Sequence, residues 1–521
     1  MIKKLPIWES LIKTVKRKPD FPVFKHKDKD FSYKELENLA KRYAQYFKIF
    51  YKCDKNTKVI GIGSTTFEYL SVIYAMFGLG CFMIKIDNKI ISEQLNNLIS
   101  ETKADIILVG KQWKQKVINL NIFKIIICYD DEDTVNVLNN IDISNFVPNI
   151  ITQKDPSIGM FTGGTTGKPK IIVHSQHSFY CFINNALCDE NDTIFIDQFS
   201  CNAIFASVMK VIDVGGTIRC PDIIGIENET SFLDIIKYIN EINILFLFGV
   251  QIVDLIKIFT KHSISQHRLK YVVYAGVKIP SNYIVSLQKL INLNILNEYG
   301  MSECGTISRQ CINKKLINPN ENEIYELQSV GYIRENIKKF IKIIDDYENN
   351  VKINKIGEIV VSENYPGLFL GYIESGILKY PSIVKGYFHT GDLIKMDEKE
   401  IIYLIDRISS KIKTKDGNSI YCNEIEEILN QNNQVSMSIV FCTESMGNIG
   451  DDIIAYVVPI NNNLDETTSK KQLIDFFSKQ SLYPDIILKD IIFVNSLPIN
   501  KKNKLDRLKL KKKYLKNQPI R

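Results

Sequence analysis

The chain has 521 residues, room for about three ordinary domains or for one large domain and a smaller one. Apolar residues at 45% and charged residues at 24% are globular values that exclude a disordered or fibrous chain, and no apolar run reaches the roughly 18 residues of a membrane span. A net charge of +7 is modest for this length, and the eleven cysteines include no Cys-x-x-Cys pair and stand without a histidine cluster; this argues against a zinc site or disulfide framework and predicts a soluble cytoplasmic protein with reduced thiols.

In chain order, Ser32-Tyr33-Lys34-Glu35 reads as a capping box, and Leu36, Leu39, Ala40, Tyr43, Ala44 and Phe47 recur at helical spacing, so a helix is predicted over 31–47. Short apolar runs at 58–62 and 105–109 are separated by helical-length segments. Strands alternating with helices predict an α/β core of layered, mostly parallel sheets. The run Phe161-Thr162-Gly163-Gly164-Thr165-Thr166-Gly167-Lys168-Pro169-Lys170 offers backbone N–H groups, hydroxyls and a cation to a polyanion, which is phosphate-handling chemistry. A Walker loop would need a glycine at Thr162 and a hydroxyl at Pro169, so the GTPase and kinase readings fall away. Further on come Asn297-Glu298-Tyr299-Gly300-Met301-Ser302-Glu303, the β-like stretch 357–361, the turn sequence Thr390-Gly391-Asp392 and a second β-like stretch at 401–404. The polar stretch from Arg407 to Asn418 sets a boundary that divides the chain into 1–406 and 407–521. Beyond it, Asn423 with Glu426 predicts a capped helix through Ile425, Ile428 and Leu429. The basic end, from Lys501 to Lys516, lacks aromatic interleaving, so nucleic acid is not an expected partner.

Together with Pro498-Ile499-Asn500-Lys501-Lys502-Asn503-Lys504-Leu505-Asp506-Arg507, these runs stand in the order of the motifs of the adenylate-forming superfamily. That superfamily comprises acyl-CoA synthetases, carrier-loading adenylation domains and luciferase-like enzymes, and the chain resembles it from about residue 31 to residue 507. The resemblance implies a large N-terminal domain of layered sheets with a β-barrel-like subdomain, capped by a small mobile α+β C-terminal domain. It implies that Thr162, Gly163, Gly164, Thr165, Thr166, Gly167 and Lys168 cradle the triphosphate of ATP, with Thr166 acting in catalysis. It sets Gly276, Glu298, Tyr299, Gly300 and Ser302 among the nucleotide contacts, Tyr299 stacking on adenine and Ser302 holding phosphate. Glu303 would bind Mg²⁺, a hard cation that prefers oxygen ligands. Asp392 and Arg407 would hold the ribose, and Lys504 would bridge the reacting carboxylate and the α-phosphate. Phe199, Asn202, Phe248 and Gly249 would line the acyl pocket, where Ser200 in place of an aspartate disfavours an α-amino acid and leaves fatty and aryl acids open.

The implied reaction is ATP-dependent activation of a small carboxylic acid to an acyl-adenylate, followed by transfer to the thiol of coenzyme A. A carrier-protein phosphopantetheine is the alternative acceptor, and the basic C-terminal stretch would suit either an acidic carrier protein or the phosphates of coenzyme A. A non-catalytic nucleotide- or acyl-binding regulator is the reading from another class. It draws on departures from the family pattern: Gly163 for a hydroxyl residue, Asp406 and Asn503 for glycines, and an extra Asp416; Ile171 for glycine and Ser409 at the pivot are further departures.

Overall fold

The structure is a computed structural model that describes residues 6–86, 95–120, 124–162, 170–184, 187–197, 199, 202–223, 229–264, 266–291, 293–313, 319–413, 419–444, 451–460, 465–480, 486, 488–498 and 505–516. Two large sheets form its centre. One has eight strands, in which Pro156–Thr162, Phe82–Ile86, Lys58–Ile62, Ile106–Val109 and Ile125–Cys128 run parallel in that spatial order; Lys170–Ser175 then turns back antiparallel on Pro156–Thr162. The other has nine strands, with a parallel centre that includes Thr193–Phe195, Ile244–Phe248, Tyr271–Ala275 and Asn294–Met301. Ile106–Val109, Ile244–Phe248 and Tyr271–Ala275 read as continuous apolar runs because both faces are covered.

Helices Phe67–Leu79, Gln176–Ile183 and Asn202–Val214 lie between the two sheets, where Phe77, Phe179 and Phe205 pack with Met83, Met160, Phe246 and Leu296 in one core. The first of these helices is buried on every side, which explains a sequence, FEYLSVIYAMFGL, with no polar face. A five-stranded antiparallel sheet that includes Ile356–Ser362, Tyr387–Met396 and Ile402–Arg407 forms a half-barrel around its own core of Tyr299, Ile359, Phe388 and Ile394. After Ser410 the described chain builds two further cores, one around Ile425, Leu473 and Ile491 and one around Phe441, Tyr456 and Tyr514.

The predicted first helix forms as Tyr33–Tyr51, with both bonds of its capping box: Glu35 N donates to Ser32 Oγ at 3.2 Å and Ser32 N to Glu35 Oε2 at 2.7 Å. The runs at 58–62 and 105–109 are the strands Lys58–Ile62 and Ile106–Val109, and those at 357–361 and 401–404 fall within Ile356–Ser362 and, from Ile402 onward, Ile402–Arg407. The cap predicted at Asn423 is displaced. The helix is Cys422–Asn430, and its Glu424 accepts the Tyr421 N–H at 3.1 Å. The strand Ser419–Tyr421 delivers the chain directly into the helix, and Asn423 is engaged elsewhere: its N–H donates to Asp406 Oδ2 at 3.1 Å and its side-chain amide to the Ile405 carbonyl at 2.9 Å. Glu426 accepts from Arg507 at 2.6 Å instead of closing a capping box. Among the described residues no helix is long and apolar enough to cross a membrane.

Candidate active site

The C-terminal ends of parallel strands leave a crevice where ligands bind. The parallel pairing of three neighbouring strands ends in register at Phe248, Ala275 and Glu298. Their continuations carry Gly249, Gly276, Tyr299 and Gly300 to the same edge. Two of these glycines are there because the backbones crowd: a Cβ on Gly249 would stand 2.5 Å from the Val277 carbonyl oxygen, and one on Gly300 would stand 2.3 Å from that of Gly305. Gly300→Ala is therefore expected to cost about 1–3 kcal/mol, read as a lower denaturant midpoint. An unchanged midpoint would show that this hairpin tolerates the extra carbon.

From this edge the chain crosses to the half-barrel. Tyr299 is buried, and its hydroxyl donates to Asp392 Oδ2 at 2.8 Å. Asp392 Oδ1 receives Arg407 Nε at 2.6 Å, because the two residues are register partners on adjacent antiparallel strands. Arg407 Nη1 also donates to the Thr390 carbonyl at 3.2 Å. The turn before Asp392 needs glycine, since Gly391 has φ +74°, and Gly391 N–H is held by Glu358 Oε1 at 2.8 Å. Burial and the Asp392 charge push the Tyr299 phenol well above its usual pKa, so it stays a donor.

Asn202, expected to line an acyl pocket, joins two of the motifs. Its side-chain amide donates to Ser302 Oγ at 2.9 Å and to the Phe161 carbonyl at 3.2 Å, tying the start of the Gly/Thr run to the Tyr-Gly-Met-Ser-Glu run. Phe199 is fixed by its N–H to Thr65 Oγ1 at 3.1 Å and by a bond from Lys85 Nζ to its carbonyl. Phe248 N–H donates to Gln251 Oε1 at 2.8 Å. Glu298 is buried against Arg309, whose Nε reaches Glu298 Oε1 at 2.8 Å. It also borders a small enclosed cavity with Ser207, Phe246 and Val273.

Glu303 accepts from the Tyr372 hydroxyl at 3.0 Å, and burial pushes its carboxyl above the usual range. A desolvated carboxylate with one neutral donor is a fitting ligand for Mg²⁺, whose charge would favour the ionised form. Within the Gly/Thr run, Thr162 closes the strand Pro156–Thr162, while Gly163, Gly164, Thr165, Thr166, Gly167 and Lys168 lie outside the described residues, as do Ser200, Asp416, Asn503 and Lys504.

His174 belongs to no motif read from the sequence. It is fully buried on the strand Lys170–Ser175, with Nε2 2.9 Å from the Ser302 carbonyl and Nδ1 3.2 Å from Ser178 Oγ. Burial lowers its pKa from 6.5 to about 4. The unfolded chain thus binds a proton that the folded one refuses, so this contribution to stability is complete above pH 6.5 and is lost as the pH falls toward 4. Acidification from pH 6.5 to 5 should remove about 2 kcal/mol through this residue. Urea midpoints at the two pH values should converge in His174→Gln, and an equal drop in parent and variant would remove His174 from the acid response.

The AMP-binding enzyme family profile matches residues 11–373. The chain belongs to the AMP-binding enzyme family. Among curated relatives of this AMP-binding enzyme, a 2-succinylbenzoate–CoA ligase of Oceanobacillus iheyensis is 24% identical, over 98% of this chain and 100% of the relative. A long-chain-fatty-acid–CoA ligase of Haemophilus influenzae is 20% identical over 97% and 94%. Solved structures share the fold: an amide bond synthetase of Marinactinospora thermotolerans has a TM-score of 0.80 at 15% identity, covering 98% of this chain and 100% of that one. The o-succinylbenzoate CoA synthetase of Bacillus subtilis, in complex with its acyl-adenylate intermediate, has a TM-score of 0.77 at 19% identity, covering 98% and 99%.

Proposed function

We propose that this AMP-binding enzyme activates a carboxylic acid with ATP and passes the acyl group to a thiol, that of coenzyme A. The observation that carries this reading is the cluster Tyr299–Asp392–Arg407, standing beside Ser302 and Glu303 and tied through Asn202 to the start of the Gly/Thr run. The relatives named as CoA ligases over nearly the whole chain support it.

The first step forms a bond between a carboxylate oxygen and the α-phosphorus and breaks the bond to pyrophosphate. The barrier is the approach of two anions. Asp392 and Arg407 orient the ribose, while Ser302, with its hydroxyl held by Asn202, faces phosphate. Glu303 would hold Mg²⁺, which when bound neutralises phosphate charge. In the second step a thiol sulfur takes the acyl carbon and AMP leaves. Phe199, Phe248, Gly249 and Gly276 border the acyl group, and an aryl or fatty acid suits their apolar character.

Residues 407–521 act as a lid that turns about Ser409, in the short 3-10 turn Ile408–Ser410. The pose described here suits adenylation: Leu505 packs on the core between the two large sheets, Lys278 pairs with Glu427, and Tyr283 Oη meets Ser436 Oγ at 2.5 Å. The reading is tested by carboxylate-dependent pyrophosphate exchange across a panel of fatty, aryl and dicarboxylic acids. Exchange with at least one acid is expected, and silence across the panel would leave the non-catalytic reading standing. Offering coenzyme A and a phosphopantetheinylated carrier protein to the preformed adenylate then separates the two acceptors.

A further inference from the structure

Beside the Glu298–Arg309 pair a cleft of about 600 Å³ opens to solvent, lined by neither Asp392 nor Glu303. It runs from the strand Gly305–Ile312, which carries Arg309, along Tyr332–Ile333 and the helix Glu335–Lys338 to Glu400, at the turn between two half-barrel strands. Its volume suits a ligand of nucleotide size.

The ion pairs in this cleft leave one cation out. Arg309 is committed to Glu298, and Lys338 is paired with Glu400 at 2.7 Å. Arg334 has its backbone fixed, its N–H donating to the Ile307 carbonyl at 3.0 Å, but its guanidinium forms no ion pair with any described residue. Its Nη1 is buried without a hydrogen-bond partner. Two guanidinium groups therefore share the influence of one buried carboxylate, Glu298, and both burial and Arg309 lower the Arg334 pKa. Leaving a charged donor buried and unmade is costly, and such an arrangement persists where something outside the chain supplies the acceptor. The remaining acid, Glu335, is exposed at the rim and not aligned with that nitrogen by any hydrogen bond. Tyr332, 53% exposed, presents a ring at the mouth.

We propose that this cleft is an oxyanion site for a small molecule bearing a phosphate or carboxylate group, with Arg334 as its principal donor and Arg309 and Lys338 as flanking cations. A guanidinium fork matches either group bidentately. The site is separate from the Asp392–Arg407 cluster, so the proposal stands or falls independently of acid activation. Because Arg309 also holds Glu298 at the crevice, an anion drawing on Arg309 would be felt at the strand that carries Tyr299.

The test is calorimetric titration of the full chain, with AMP saturating so that the nucleotide crevice is filled. The probes are inorganic phosphate, citrate, coenzyme A and dephospho-coenzyme A. One-site binding of at least one probe is expected, weakened at least about tenfold in Arg334→Met and less in Lys338→Met. Tighter binding of coenzyme A than of its dephospho form would assign the anion to the 3′-phosphate; equal binding of the two with a response to phosphate or citrate would assign it to a free anion. Thermal unfolding gives a second readout. In anion-free buffer Arg334→Met should melt higher than the parent, because an unpaired buried charge is gone, and it should lose the rise in Tm that the bound probe gives the parent. No binding by any probe, equal affinity in parent and Arg334→Met, or a variant that melts lower yet keeps the full anion-induced rise would each overturn the proposal.

Discussion

Lys504→Ala is expected to slow adenylate formation by a factor of about 10²–10³, the usual loss when one preorganised donor to a developing charge is removed. The family resemblance assigns Lys504 to the bridge between carboxylate and α-phosphate. Asp506 N–H donates to the Pro498 carbonyl at 2.8 Å. Leu505 packs both on the core between the large sheets and on the C-terminal core around Phe441 and Leu510. Arg507 is anchored to Glu426 at 2.6 Å and to Asn423 at 3.2 Å. Leu505 and Arg507 are thus held on both the body and the lid. Pyrophosphate exchange at saturating ATP should fall while AMP affinity, measured by titration, stays close to that of the parent. An unchanged exchange rate would remove Lys504 from the first step and leave its lysine-rich surroundings as a solvated face.

Local signals in the sequence translated well into structure. The Ser32–Glu35 box is complete within four residues, and both of its bonds form. The apolar runs became strands because burial on both faces demands them, as at Ile106–Val109. Motif order brought Tyr299, Asp392 and Arg407 to one place although 108 residues separate the first from the last. The features that went unseen depend on partners far away in the chain. His174 is an ordinary strand residue until the Ser302 carbonyl is folded against it, and Tyr372 passes for a packing residue until its hydroxyl meets Glu303. Asn202 shows the same limit from the other side. The resemblance sets it at an acyl pocket, and only the fold shows that its amide bonds Ser302 and Phe161. The buried, unpartnered Nη1 of Arg334 is likewise invisible in a chain with 66 lysines and arginines.

Asp392→Ala should cost about 3–5 kcal/mol, since it removes one member of a buried ionic and hydrogen-bonded cluster and strands the others. Asp392 is itself buried, and it holds both the Tyr299 hydroxyl and Arg407 Nε through its two oxygens. The loss should divide between two readouts. Part will be folding stability, because Arg407 and Tyr299 no longer have their acceptor; part, on the proposed ribose role of Asp392, will be ATP affinity. A double-mutant cycle with Tyr299→Phe separates the shares: the stability cost of the two changes together should be less than the sum of the single costs, as expected for residues in contact. The affinity share is read in the parent protein by comparing ATP with 2′,3′-dideoxy-ATP, which should bind about tenfold or more weakly if a carboxylate receives those hydroxyls. Equal affinity for the two nucleotides, together with a normal stability cost for Asp392→Ala, would make Asp392 a structural tie between the half-barrel strands and Tyr299 and would move ribose recognition to another residue.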